Sequence, residues 1–282
     1  MAFPLILFEN IFDPTSAGTL STSAAVAGFP GTNVLDWRPG TPYRWKVASG
    51  TGSGQWIKID LGSGNSANPN CIAVGGHNFH EHPNSLQVEW SDDNSAWTTV
   101  TAASVTPTTG LPYLRTFTVA SAHRYWRAIL RTSGSVPFDN DVTAGIITLG
   151  RRLDFTTGMA ATFDPYAVEA VVEDARNENG SPLGTNFRYR RKVFPVALPD
   201  PGMTKAAFYR PASGLSWDVD FQQHALGLPP DGKADPFWFG WNITEDPEEI
   251  YLCTCRKAST PFIGSILRRG LFADFEAWRE VA

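Results

Sequence analysis

Short apolar alternations separated by turn signals run the length of the chain, and no long segment carries a persistent 3.6-residue apolar stripe. Trp56-Ile57-Lys58-Ile59-Asp60-Leu61-Gly62 predicts a strand with Trp56, Ile59 and Leu61 available to a core, and Gly62 opens a turn that runs through Asn70. Cys71-Ile72-Ala73-Val74 resumes the sheet, and Leu86-Gln87-Val88-Glu89-Trp90-Ser91 is a period-2 strand. It ends at Asp92-Asp93-Asn94-Ser95, whose short polar side chains hydrogen-bond their own backbone in turns, and Trp97 restarts the sheet. Residues 115–119, 125–130 and 146–150 complete a series of about eight strands, the number a two-sheet sandwich needs.

The second half begins near Gly150-Arg151-Arg152. Residues 167–174 fit a helix by the spacing of Val168, Val171, Val172 and Ala175, or a strand by alternation. The turn chemistry of Asn177-Glu178-Asn179-Gly180-Ser181-Pro182 and the alternation over residues 187–196 favour the strand, and together they predict a long hairpin. Residues 203–209 suit a short helix. Residues 236–242 and 250–255 read as buried strands. Leu271, Phe275 and Trp278 have helical spacing in a segment short enough to be a strand. The expectation is an all-β chain with a sandwich over 1–152 and a second, mostly β domain over 153–282.

Composition sharpens this picture. The chain has 282 residues, 42% hydrophobic and 18% charged, with 25 Gly, 21 Pro and 12% aromatic residues, which suits turn-rich sheets with large rings between them. Twenty-three Lys+Arg against 28 Asp+Glu give a net charge of −5, so no general attraction to nucleic acid or an anionic membrane is expected. Phe3-Pro4-Leu5-Ile6-Leu7-Phe8 is too short to span a bilayer and lacks the basic leader of a signal peptide. With only Cys71, Cys253 and Cys255, a disulfide-stapled secreted fold is not expected, and the chain reads as one folded in a reducing cytoplasm.

Five motifs in order carry a family resemblance: Asn33-Val34-Leu35-Asp36, Arg44-Trp45, Trp56 to Gly62, Ser91-Asp92-Asp93-Asn94-Ser95-Ala96-Trp97, and His123-Arg124-Tyr125-Trp126-Arg127. Together they resemble the discoidin (coagulation factor 5/8 type C) domain. The resemblance implies a galactose-binding-type jelly-roll β-sandwich, with Trp56 and Trp126 between the sheets and Asp60 accepting hydrogen bonds at a strand end. Many extracellular members close that sandwich with a terminal cysteine pair, which this chain lacks. The run through Leu149-Gly150-Arg151 into a β domain with Gly180-Ser181-Pro182-Leu183-Gly184 and Pro236-Phe237-Trp238-Phe239-Gly240-Trp241 resembles tail-tip or baseplate proteins of long-tailed bacteriophages. That implies a structural protein of the virion tail tip, folded in the host cytoplasm, forming homo-oligomers and meeting other phage tail proteins (tail tube, hub, tape measure).

The discoidin resemblance also implies carbohydrate binding at the loops of one end, through an aromatic ring and polar side chains. Trp37, Arg38, Tyr43, Arg44 and Trp45 in a Gly/Pro-rich loop, with His77, Asn78 and His80 near another loop, are the candidates, although Trp37 and Trp45 equally suit the core. A bacterial lectin or adhesin module is therefore the alternative reading, with host-surface glycan as partner.

No cofactor or metal is expected. His77, His80 and His82, with His80 and His82 on one face if extended, and the Cys253-Thr254-Cys255 pair are the weak metal candidates, for a tetrahedral ion and an iron–sulfur cluster respectively; calcium in a discoidin loop is a further weak option. Arg188, Arg190 and Lys192 alternate along the hairpin and are expected to pair with Glu169, Glu173, Asp174 and Glu178; with Asn177 and Asn179 they mark an assembly element. No G-x-S-x-G elbow, phosphate loop or zinc-protease motif appears, so the chain is not expected to be an enzyme.

Overall fold

A computed structural model of the chain describes residues 3–13, 18–82, 84–155, 159, 164, 168–176, 178–179, 181–197, 203–204, 215–227, 234–243, 249–259, 262–263, 265–269 and 272–278. Two compact units emerge, one built on Leu5–Leu153 and the other on Asp154–Trp241 with Tyr251–Val281. Both are built almost wholly of strands, and among the described residues no helix is long and apolar enough to cross a membrane.

The first unit contains β1 (Leu5–Leu7), β2 (Thr19–Thr22), β3 (Trp45–Val47), β4 (Gln55–Asp60), β5 (Cys71–Gly75), β6 (Asn84–Ser91), β7 (Thr98–Val105), β8 (Tyr113–Thr116), β9 (Tyr125–Thr132), β10 (Val142–Ala144), β11 (Ile146–Gly150) and β12 (Arg152–Asp154). That is more than the alternation alone predicts, because three-residue strands such as β3 and β10, which pair with each other, are too short to show a period. An antiparallel sheet in the order β2-β4-β9-β6-β7 and a second in the order β11-β5-β8 supply most of the core. Val34, Trp45, Ile57, Ile59, Ile72, Val74, Val88, Trp126, Ile147 and Leu149 fill it without exposure to water.

Parity within β4 decides which rings are inside. Gln55, Ile57 and Ile59 point inward, so Trp56, Lys58 and Asp60 share the outer face. Trp56 is therefore not the inter-sheet filler that its motif implies: it is half-buried on the outside, with the Lys58 ammonium 4.8 Å from its ring centroid. Trp126 is the true filler, fully buried with its indole N–H donated to the His123 carbonyl at 3.0 Å. Asp60 does cap the strand end, accepting from the Gly62 N–H at 2.8 Å and from Arg124 at 2.7 and 2.9 Å; the Arg124 hydrogen bond holds its carboxyl below the usual range. On the same outer face Glu89 is only 2% exposed. Burial pushes its pKa up, but hydrogen bonds from Arg131 and Arg127 outweigh this and keep it low.

The second unit contains β13 (Val168–Arg176), β14 (Pro182–Ala197), β15 (Met203–Thr204), β16 (Phe237–Gly240), β17 (Ile250–Ser259), β18 (Phe262–Ile263), β19 (Ser265–Arg269) and β20 (Phe272–Trp278). Its larger sheet includes the run β16-β17-β20-β14-β13, and β15-β19-β18 form a smaller one. Residues 203–204, expected to begin a helix, instead pair as a strand with Arg269 and Arg268; the rest of that expected helix, 205–209, lies outside the described residues. The helical spacing at the C-terminal end likewise resolves as strand β20, whose Ala273, Phe275 and Ala277 are buried at period 2. The described α-helix, α1 (Gln222–Leu226), follows a wider turn at Trp217–Phe221 and stops at Gly227 with φ +62°, a conformation glycine adopts without a Cβ penalty. Trp217 and Phe221 enter a ring cluster with Phe155, Phe237, Phe239, Phe275 and Phe194, centroids 4.4–6.2 Å apart.

The predicted hairpin is β13–β14, antiparallel, with Glu169 opposite Arg191, Ala170 opposite Arg190 and Val168 opposite Lys192. This register corrects the expected charge pairing, since Arg190 and Lys192 stand opposite apolar residues and Glu173 and Asp174 stand opposite Asn186 and Thr185. The Lys192 ammonium donates instead to the Tyr251 hydroxyl at 2.8 Å. Asn177 and the side chains of Arg188 and Arg190 lie outside the described residues; Glu178 and Asn179 are exposed.

At the seam of the first unit, a Cβ on Gly150 would lie 2.1 Å from the Glu9 carbonyl oxygen, a contact only backbone movement relieves. Gly150→Ala is expected to destabilise the first unit by about 2 kcal/mol or more, read as a lowered urea midpoint with unchanged slope.

Candidate functional site

Four loops of the first unit meet at one end: 31–44, 76–82, 108–112 and the segments flanking β10. Asn78 is the bracket. Its carboxamide donates to the Asp141 carbonyl at 2.8 Å and to Glu81 at 3.2 Å, and accepts from the Thr143 N–H at 2.8 Å. The Gly145 N–H donates to the carbonyls of Gly75 and Gly76, and a Cβ there would lie 2.8 Å from Pro39 Cα, so loop 31–44 rests directly on β10's flank. A Cβ on Gly110 would lie 2.9 Å from the His80 ring, which brings loop 108–112 against the histidine loop.

Within loop 31–44, Asp36 shapes the surface. Its Oδ1 accepts from the Arg38 N–H at 3.0 Å, closing an Asx turn around Trp37, and its Oδ2 accepts from Arg38 Nε at 3.0 Å. Trp37 inside this turn has φ +59°, a left-handed conformation that is costly for a bulky side chain and is found where surroundings impose it. The Arg38 guanidinium lies 4.1 Å from the centroid of the Tyr43 ring, which is 44% exposed. Arg44 is held by donation from Nε to the Pro39 carbonyl at 2.8 Å, while its own carbonyl accepts from Asn33 Nδ2 at 3.1 Å.

Of the predicted carbohydrate residues, the loop end therefore presents Trp37, Arg38, Tyr43, Arg44 and His80 at least partly to solvent. Three are corrected. Trp45 is fully buried, and its indole N–H donates to the Ala24 carbonyl at 2.9 Å, so no sugar face can reach it. His77 is buried with both nitrogens engaged: Nε2–H donates to the Leu111 carbonyl at 3.0 Å and Nδ1 accepts from the Phe79 N–H at 3.3 Å. Asn78 spends both ends of its carboxamide on the bracket. The sequence marks Asp36 only as part of a family motif and does not mark Gly145 at all, yet both position the loop; the Asp-x-Arg spacing is the one readable signal.

The metal candidates separate in the same way. Residues 79–81 form a single 3-10 turn, so His80 and His82 do not share an extended face: His80 is exposed, while His82 is buried edge-on to Phe138. Cys253 and Cys255 are buried on β17, and burial pushes the Cys253 thiol well up, against the thiolate that ligation requires. Among the described residues no three His, Cys, Asp or Glu side chains gather as a metal site.

Burial, reinforced by the charges of His80 and Arg44, lowers the His77 pKa to about 4. The unfolded chain then binds a proton that the fold excludes, so this contribution to stability is complete above the unfolded value near 6.5 and is lost as pH falls toward about 4. His77→Gln is expected to flatten the fall in unfolding free energy between those two pH values, measured by urea titration across the range.

Residues 33–128 match the model of the NedA-like, galactose-binding domain of F5/8 type C. No curated protein matches the chain as a relative. Among solved structures the chain is similar to CBM32-6 of a GH89 protein from Clostridium perfringens, at 16% identity and a TM-score of 0.37, covering 51% of this chain and 99% of that one. It is similar to chitosan-binding module 1 of a chitosanase/glucanase from Paenibacillus sp. IK-5, at 24% identity and a TM-score of 0.37, covering 50% and 98%. A GH29 fucosidase from Ruminococcus gnavus gives 17% identity and a TM-score of 0.40 over 51% of this chain and 27% of that one. The five ordered motifs all lie within this matched stretch, and the β-sandwich built around them is of the discoidin-like, jelly-roll kind.

Proposed function

We propose that the chain binds carbohydrate, without cleaving it, at the loop end that carries Trp37, Arg38, Tyr43, Arg44 and His80. The observation that carries this reading is the exposed Tyr43 ring, stiffened by the Arg38 guanidinium at 4.1 Å, on the loop cluster of a galactose-binding-type domain. A flat ring buries the apolar face of a sugar, and a guanidinium and an imidazole within the same cluster supply hydrogen bonds to its hydroxyls. The loops are tied together by hydrogen bonds of the Asn78 carboxamide and the Gly145 N–H, so little ordering is left to oppose binding. The description of the matched family as galactose-binding supports a glycan as the ligand class.

Tyr43→Ala is expected to weaken glycan binding about tenfold or more, read on a glycan array and then by titration, while leaving the unfolding free energy within about 0.5 kcal/mol. Trp45→Ala is expected to lower stability by about 3–5 kcal/mol and to affect binding only through the fold.

A second reading is assembly into a phage tail tip in the virion, with the hairpin as the docking element. Among the described residues, β14 pairs with β20 only from Lys192 onward, and its stretch from Pro182 to Arg191 pairs with β13 alone. Its eight paired positions make a ribbon about 27 Å long, and a two-stranded ribbon is marginal in water unless something covers it. In this reading the covering surface is a second copy or another tail protein. Deleting residues 177–183 is expected to abolish defined oligomers in mass photometry while sparing any glycan binding.

A further inference from the structure

Loops at the opposite end of the same sandwich bring together Ser121, His123 and Asp92. His123 Nδ1 lies 3.0 and 3.1 Å from the two Asp92 carboxylate oxygens, and its Nε2 lies 3.1 Å from Ser121 Oγ. An ionised carboxylate has no hydrogen to give, so the proton in the first contact sits on Nδ1. With the imidazole in its neutral form, Nε2 carries the lone pair and the Ser121 hydroxyl donates to it. This is the proton arrangement of a serine activated by a histidine that a carboxylate orients.

The imidazole has little freedom to turn away. It stacks on Trp90 with centroids 3.4 Å apart and planes at 10°, meets Trp126 edge-on at 6.0 Å, and its backbone exchanges hydrogen bonds with Ala67 in both directions at 2.9 and 3.0 Å. Its side chain is 7% exposed, whereas Ser121 is on the surface. Among the described residues the backbone N–H groups of Ser121 and Ala122 donate to no protein acceptor.

We propose that Ser121 is a nucleophile, activated by His123 and Asp92, for the hydrolysis of small carboxylic esters, with acetyl esters as the substrate class. An open, solvent-facing hydroxyl suits a short, unhindered acyl group. Oγ bonds to the acyl carbon as its proton passes to Nε2 and the carbonyl electron pair moves onto oxygen. The pair returns, the ester C–O bond breaks, and the imidazolium proton goes to the leaving alkoxide. Water then attacks the acyl-serine, Nε2 takes its proton and returns it to Oγ, and a carboxylic acid is released. This site is independent of the carbohydrate reading: Asp92 follows the end of β6, whereas the histidine loop precedes its start, about 26 Å of strand away.

The test uses the full chain with a fluorophosphonate probe, which leaves a phosphonyl group on an activated serine as fluoride departs, followed by peptide mapping, and with p-nitrophenyl acetate. The expected result is one adduct at Ser121, a nitrophenolate burst equal to the protein present, and loss of both in Ser121→Ala. His123→Gln disturbs a packed ring, so Asp92→Asn, at a carboxylate 65% exposed, is the deciding variant. It is expected to slow adduct formation at least about tenfold with the circular dichroism unchanged. No adduct at Ser121, or one that forms at the wild-type rate in Asp92→Asn, would overturn the proposal and leave the three residues as a structural clasp on Trp90.

Discussion

The first unit depends on how its beginning is fastened to its end. Asn10 accepts from the Leu149 N–H and donates to the Ile147 carbonyl, while the Ile11 N–H reaches the Leu149 carbonyl at 2.7 Å. One step further, the Glu9 carboxylate takes the Arg151 guanidinium at 2.6–3.1 Å and the Arg151 N–H at 2.8 Å. Gly150 lets the two backbones approach this closely. The ion pair is partly exposed, and such a pair alone adds about 1 kcal/mol or less. Its effect here is geometric, since it fixes the strands that every loop hangs from. Where many extracellular discoidin domains are closed by a cysteine pair, this chain uses hydrogen bonds and a glycine.

Fastening the strands makes the two ends of the sandwich different chemical places. One end is a polar lattice around Asn78 and Gly145, with an exposed tyrosine and arginine on its rim. The other is a histidine pressed between tryptophans, with a serine on one nitrogen and a carboxylate on the other. Both rely on aromatic rings as rigid walls. A ring loses little rotamer entropy on burial and cannot bend around a polar neighbour, so it holds a hydrogen-bonded partner in register. Trp45 and Trp126 do this from inside, each with its indole N–H on a backbone carbonyl.

The second unit is organised by a different constraint, the packing of phenylalanine and tryptophan edges to faces around Phe221, Phe237 and Phe275. That cluster explains the aromatic block at 237–241, which as sequence looks like a motif and in three dimensions is core. Phe237, Trp238 and Phe239 are all buried, as expected of a strand covered on both faces.

Much of the sandwich was legible in the chain. Period-2 alternation marked β4, β6 and β9, because inward and outward sites on a half-buried strand must differ in polarity. Turn chemistry marked the Asp93 loop, where one carboxylate oxygen accepts the N–H groups of Ser95 and Ala96, and the hairpin turn before Pro182. What alternation cannot give is phase against a distant partner. Trp56 and Ile59 both looked inward, and only pairing with β9 and the second sheet decided that Ile59 is core and Trp56 is not. Trp45 and Tyr43 are two residues apart in one aromatic loop, and which of them faces water follows from β3 pairing with β10, almost a hundred residues away in sequence. Asp92 and His123 stand in two of the family motifs, but nothing in the sequence says that they meet Ser121, because the two turns that carry these residues are brought together by the β6–β9 pairing. The sequence by itself determined most of the longer strands and their turns, since these rest on local polarity and backbone preference, and its five ordered motifs carried the resemblance to a domain family. The tertiary structure alone decided which rings are core and which polar groups meet, since burial and hydrogen-bond reach are properties of the closed sheets and not of the chain.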